Sequence, residues 1–342
     1  MQFKQTLNCS SFFSATGRLI LWKVCMALFR AGICCVLCAS GFLATVAEAR
    51  PRLVDINKNT LTLLSGEPAW FPEALSIANE LDRENGLRIL PMQGSGCIDS
   101  VADVLQLTQV DVALLSSDCV DYAEQQGLLP KASQKLAYVA RVKSLPVVLV
   151  TRRDIPNLTA LAGKRIATGS ADSAAFASGE ILLGGLGLPF VRVPKSGADG
   201  VALLKSGEAD AVLLQGLDAL DGSLDPKTFH VLGLTTTQNS TTSHAPVLVE
   251  ASELKGLLPT GTALETVSTA LVLAVFNWPA KSAKAEKIKL FSAVYFEKQA
   301  MGNDASQLSA SVPGWQRYAL SQNALEALTI ELPATLQQGD GP

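Results

Sequence analysis

Five short stretches carry the polar chemistry of this 342-residue chain: Ser65-Gly66-Glu67, Gln93-Gly94-Ser95, Ser116-Ser117-Asp118, Thr168-Gly169-Ser170-Ala171-Asp172-Ser173 and Gln215-Gly216. Each follows a short apolar run that reads as a strand, and most precede a helical pattern. The first turn of a helix leaves N–H groups unpaired, so hydroxyls and carboxylates placed there either cap the helix or help hold a ligand. Glycine allows the tight turn from strand to helix. Covalent catalysis would need a nucleophile with a base, a metal cluster or a phosphate loop, and the sequence displays none of them. The one arrangement suited to acid and base work is a pair of carboxylates, Glu67 with Asp118 or Asp172. The only histidines, His230 and His244, stand apart without ligand spacing, so neither a metal nor a cofactor is expected.

The elements that must position these loops alternate in the βαβ manner that builds parallel sheets. A first cycle runs through strands over about 61–64, 87–90 and 110–115, with helices over about 71–82 and 98–107. A second has strands over about 165–168, 190–193 and 211–214, with helices over about 173–186 and 200–205. Both cycles close on the same grammar, Val110-Asp111-Val112-Ala113-Leu114-Leu115 and Ala209-Asp210-Ala211-Val212-Leu213-Leu214. This is either an internal echo of two equivalent lobes or the common pattern of any buried parallel strand. Leu145–Thr151 reads as a strand crossing between lobes. Val267–Val275 reads as the return crossing or, on periodicity alone, as a buried helix. With both crossings the first lobe is discontinuous and takes back a helix over about 282–298.

In open α/β sheets ligands sit outside the carboxyl ends of strands, where helix amino termini offer N–H groups and a partial positive charge. All five polar loops face that side. The expected binding residues are therefore Ser65, Gly66, Glu67, Gln93, Ser95, Ser116, Ser117, Asp118, Thr168, Ser170, Asp172, Ser173 and Gln215. Trp70 is either a wall of the same site or plain core.

The uncharged run between Ala31 and Val46, ending in Ala47-Glu48-Ala49, has the marks of a secretory leader cut before Arg50, with Met26 as a possible true start. It is short for a spanning helix. Five of the seven cysteines lie in this leader, leaving Cys97 and Cys119 as a candidate disulfide in an oxidising compartment. Without the leader the chain has 24 basic residues against 30 acidic ones, a net charge of −6, which excludes a basic nucleic-acid surface. The remaining length suits two lobes of ordinary size.

Several segments carry a resemblance: Leu87–Asp118, Ala160–Ser173, Leu203–Gln215, Val272–Pro279 and Val312–Trp315. Within them, Leu161-Ala-Gly-Lys-Arg-Ile166, Gly207-Glu-Ala-Asp-Ala211, Asn277-Trp-Pro279 and Val312-Pro-Gly-Trp315 resemble the TAXI group of TRAP-transporter solute receptors. The resemblance implies the two-lobed type II periplasmic-binding-protein fold, α/β, each lobe a mostly parallel sheet flanked by helices with a cleft between. It implies lobe one at 50–150 plus 264–331 and lobe two at 151–263; the polar, Gly-rich run 332–342 reads as a disordered tail. The function it implies is capture of a small polar or carboxylate-bearing ligand in the periplasm by a monomer, without catalysis, for delivery to TRAP-type membrane permease subunits. Sensing for a membrane partner is the alternative, and an enzyme on the same fold a more distant one. Two departures bear on the ligand: Glu67 and Asp172 put carboxylates where relatives carry small neutral residues, so an anion would be repelled unless each is paired. Lys143, near the hinge, is read as an exposed lysine or a contact for an anion or Glu67.

Overall fold

The apolar spacing of the first cycle produces its elements in order. Strand β1 (Thr60–Ser65) leads through a 3-10 turn (Pro68–Trp70) into α1 (Phe71–Leu81), which buries Ala74, Ile77, Ala78 and Leu81 at helical spacing. Then come β2 (Arg88–Gln93), α2 (Cys97–Gln106), β3 (Val112–Ser116), α3 (Ser117–Gln125) and the short α4 (Ala132–Lys135). The long β4 (Leu136–Arg152) opens the second cycle of β5 (Arg165–Ala167), α5 (Ala174–Leu182), β6 (Val191–Val193), α6 (Gly197–Ser206) and β7 (Ala211–Gln215). The chain continues with β8 (Phe229–Gly233), β9 (Ala245–Glu250), β10 (Ala263–Phe276), α7 (Ala283–Gly302) and α8 (Ala319–Glu331). The structure is a computed structural model that describes residues 58–235, 243–302 and 308–331. The expected leader, Met26 and the tail 332–342 lie outside the described residues.

All ten strands belong to one sheet, ordered β2-β1-β3-β10-β4-β7-β5-β6, with β8 also on β4 and β9 also on β10. The parallel triplet β2-β1-β3 recurs as β6-β5-β7. Between the triplets β4 and β10 run antiparallel, from Leu136 opposite Phe276 to Val147 opposite Val267. The later half of β10 pairs with β3 and its earlier half with β9; the later half of β4 pairs with β7 and β8. Both long strands thus pass from one triplet to the other, and register shifts interrupt their pairing on either side of Val272.

The apolar interior divides accordingly. One core gathers β1, β3, the start of β4, the later half of β10 and α7. In the second half two cores lie on opposite faces of the sheet, and β4 feeds both by simple alternation: Val148 and Val150 to one, Val147 and Leu149 to the other. The expected α/β class with two sheet-and-helix halves is the one observed. The segment around Val267–Val275 is a strand rather than a helix, because both its edges find backbone partners. β4 begins at Leu136 rather than Leu145, and α5 stops at Leu182, ahead of a 3-10 turn at Gly184–Leu186. α3, α4, β8, β9 and α8 had no counterpart in the sequence reading.

The echo between the cycles is physical. Asp111, buried before β3, accepts the Thr62 N–H of β1 at 3.0 Å; Asp210, before β7, accepts the Arg165 N–H of β5 at 2.9 Å. Each aspartate ties the start of its own strand to the parallel neighbour, and each holds a cation, Lys284 and Arg165 respectively. Asp111→Ala should strand an amide and an ammonium and lower the unfolding free energy by about 3 kcal/mol in urea titrations. Asp210→Ala, beside the largely exposed Arg165, should cost distinctly less.

Candidate functional site

The carboxyl ends of β3 and β7 and the middle of β10 meet where the long strands cross between halves. Four buried or half-buried groups converge there on Asp118, the second residue of α3, whose side chain is wholly enclosed. Ser116 Oγ lies 2.6 Å from Asp118 Oδ1 and 3.1 Å from Thr269 Oγ1. Ser178 on α5 donates its hydroxyl to Asp118 Oδ2, and His244 Nε2 stands 3.6 Å from the same oxygen. Gln215, at the end of β7, directs its amide N–H groups at Thr269 Oγ1 (2.8 Å), Ser116 Oγ (2.9 Å), Ser178 Oγ (3.1 Å) and Asp118 Oδ1 (3.1 Å). Burial alone would push the Asp118 carboxyl up, but His244, Ser116 and Ser178 together outweigh it and hold it below the usual carboxylate range. Ser243 donates to Asp121 on α3, so the segment before β9 is fastened to the opposite half beside His244.

Farther out, two carboxylates cross between the halves in opposite directions. Glu67, after β1, accepts the Ala174 N–H at the start of α5. Asp172, ahead of α5, accepts the Asp99 N–H of α2 at 2.8 Å on Oδ1, and its carbonyl accepts the Ile98 N–H at 3.2 Å. Gly96 makes this approach possible: its backbone is extended, but a Cβ there would lie 1.6 Å from Asp172 Oδ2. Burial raises the Glu67 carboxyl to about 7, with the Ala174 N–H opposing and the negative charges of Asp118 and Asp172 adding to the rise. Asp172 is raised too, chiefly by burial.

Glu67 and Ala69 separate two cavities. The smaller, about 260 Å³, is lined by Glu67, Trp70, Ser196, Gln215 and Asp218 among others. The larger, about 410 Å³, opens beside Ser95, Ser170, Ser173 and Lys195. Their other charged groups are paired, Lys195 with Asp199 at 3.3 Å and Asp218 with Lys143 at 3.1 Å. Lys143 therefore meets Asp218 rather than Glu67.

The structure brings Glu67, Ser116, Asp118, Asp172 and Gln215 into the contacts between halves. Trp70 is both core and wall, 8% exposed with one side on the smaller cavity. Ser173 caps α5 through Phe176 N–H, Ser117 accepts the Ala270 N–H, and Ser65 Oγ turns to the Glu67 carbonyl, so these three hold backbone in place. Gly66 packs on the Leu114 carbonyl, where a Cβ would come within 2.6 Å. Ser95 pairs with Asp99 at the rim, Ser170 borders the larger cavity, and Thr168 packs on Gly179 behind the loop. Gln93 is the exposed last residue of β2 and lines neither cavity. His244, Ser178 and Thr269 were missed by the sequence reading; the hydroxyl pair Ser268-Thr269 inside the apolar return strand and one of only two histidines were the available signals. The tryptophan-bearing segments that carried the resemblance meet here as well: Trp315 Nε1 donates to the Ser117 carbonyl at 3.3 Å, and Tyr318 OH to the Trp278 carbonyl at 3.0 Å.

Together these features describe an α/β protein in which the strand ends of two parallel triplets face one another across the shared antiparallel pair β4 and β10. No protein-family profile matches the chain, and no curated protein matches it in sequence. Solved structures similar to it include a TctC solute binding protein from Polaromonas, at 16% identity over 78% of this chain and 88% of that one, TM-score 0.45. The periplasmic aliphatic sulphonate binding protein SsuA from Escherichia coli is similar at 17% identity, covering 81% of each chain, TM-score 0.43. The amino acid ABC transporter substrate-binding protein AbpA from Streptococcus pneumoniae, bound to L-arginine, is similar at 14% identity over 79% of this chain and 96% of that one, TM-score 0.43. Likeness at this level leaves the chemistry of the site to be argued from its own residues.

Cys97, first in α2, and Cys119, third in α3, are joined by a disulfide with Cα atoms 6.1 Å apart. Thiol labelling of the denatured, unreduced protein should leave both unmodified, and reduction should lower stability by roughly 3 kcal/mol for a 22-residue separation. A lowered carboxylate contributes stability above its unfolded value and loses it as pH falls through the folded one. The stability gap between the native protein and Asp118→Asn, measured by chemical unfolding, should therefore shrink from about pH 6 to about pH 3.

Proposed function

We propose that this chain is a solute receptor that closes two lobes, 50–150 with 264–331 and 151–263, around a small polar ligand. The observation that carries the reading is the convergence of strand carboxyl ends from both parallel triplets on one hinge, with cavities beside it. That is where open α/β sheets take ligands; both cavities have the mixed apolar and polar lining of small-molecule sites, and the larger has their size. Glu67, Trp70, Ser95, Ser170 and Gln215 are the contacts we assign to the ligand. The finer reading follows the sequence resemblance: export to the periplasm by the leader 1–49, membership of the TAXI group and delivery to a TRAP-type permease.

A thermal-shift panel of amino acids, dicarboxylates, keto acids, polyamines and metal ions tests this directly. One class should raise the melting temperature, by about 2.7 kcal/mol of stabilisation at 100 times its dissociation constant. Ala69→Trp, placed between the two cavities, should abolish that shift while the protein stays folded. A folded protein that responds to nothing on the panel would count against solute capture.

A further inference from the structure

The two crossing carboxylates do more than bridge the halves, since each occupies the first turn of a helix on the other side. A helix start presents unpaired N–H groups and a partial positive charge. For α2 the local cap is Gly96, which has no side chain to offer, and Asp172 supplies the acceptor from across the cleft. For α5 the local cap Ser173 takes the Phe176 N–H, and Glu67 takes the Ala174 N–H that remains. The exchange is reciprocal: lobe one caps a helix of lobe two, and lobe two caps a helix of lobe one.

We propose that this exchange of helix caps is a latch that holds the lobes shut, and that closing the latch takes up a proton at Glu67. The proposal rests on the hinged, two-lobed reading above but needs no ligand. Shut, the Glu67 carboxyl is enclosed among like charges, Asp118 from α3 and Asp172 from the loop before α5. The other charged groups around it are already matched: Lys195 with Asp199 ahead of and on α6, and Lys143 with Asp218 after β7. His244 is set against Asp118, 3.6 Å from its Oδ2. Asp172 faces the further carboxylates Asp99 and Asp103, whose charges add to its rise, with the Asp99 and Ile98 N–H groups opposing it. Among the described residues no cation is paired with Glu67, and the Ala174 N–H offsets only part of the cost of burying its charge.

The direction follows from linkage. In the shut form Glu67 titrates at about 7, against an ordinary value of 4.5 for a solvated carboxyl. The shut form therefore binds the proton more tightly, and closure strengthens as pH falls from above 7 toward 4.5. Asp172, also raised, acts in the same direction. Asp118, which is lowered, acts in the opposite direction only below the usual carboxylate range and so outside this window. When protonated, Glu67 keeps a carbonyl oxygen on the Ala174 N–H and sheds the charge.

Amide hydrogen exchange of the purified protein without ligand tests the latch. After allowance for the intrinsic rate, protection of the Asp99 and Ala174 amides, relative to the Leu149 amide in the hinge strand, should fall by roughly 50-fold from about pH 5 to about pH 8, since each pKa unit is a factor of ten. Glu67→Gln, neutral with the acceptor retained, should hold protection high and leave only the residual response contributed by Asp172, and Glu67→Ala should make protection low throughout. Equal protection at both pH values in the native protein overturns the latch, as does a pH response that is undiminished in Glu67→Gln. The native titration decides the matter even where a variant fails to fold. Because no ligand enters the measurement, a failed latch and a failed ligand panel are separate results.

Discussion

Every other feature of the molecule is arranged around two strands that belong to both halves. β4 and β10 are hydrogen-bonded to each other over most of their length while each contributes to the cores on both sides. A strand buried on both faces and paired on both edges is costly to break, so the halves are bound to remain neighbours; what they can change is their angle. The register shifts around Val272 lie within this shared ladder, where a locally interrupted pairing concentrates bending. The polar residues collect at the same level because strand ends and helix starts collect there.

Asp118 shows what that placement demands. An enclosed carboxylate is tolerated only when its oxygens are fully engaged, and here two serines, a glutamine and a histidine perform that task from four different elements. Three of these partners, Ser178, Gln215 and His244, belong to the second half. The buried cluster therefore fixes how the halves meet, while the outer pair Glu67 and Asp172 adds contacts that solvent and pH can reach. A cluster that is completely satisfied inside and a pair that is electrostatically uneasy outside form a gradient from fixed to adjustable along one interface.

The sequence foretold the repeated strand grammar because its cause is local: an aspartate placed before a buried strand, with apolar residues beyond it. Asp111 and Asp210 could be paired as equivalents from the text of the chain alone. The helix-or-strand ambiguity of Val267–Val275 could not be resolved that way, since a segment apolar on all sides has no period, and only its neighbours β3 and β4 decide. For the same reason Glu67 and Asp172 could be singled out as misplaced charges but not assigned partners. Their partners are backbone N–H groups 107 and 73 residues away, and no side chain announces them. His244 was hidden in the same way, its significance arising only when α3 is brought against the segment ahead of β9.

The position of β10 between β3 and β4 carries a consequence for how the chain is made. The two strands at the centre of the first half, complete by residue 152, have no direct pairing with each other; the strand that joins them ends at Phe276. On a ribosome, the middle of the sheet is synthesised last, and β3 waits with one edge open for more than a hundred residues of elongation. Such long-range closure makes for slow folding and leaves a template for wrong pairing in the interval. A chain built this way stays unfinished until nearly all of it has emerged, so a chaperone that masks strand edges during synthesis would be acting on the part of the fold with the longest wait.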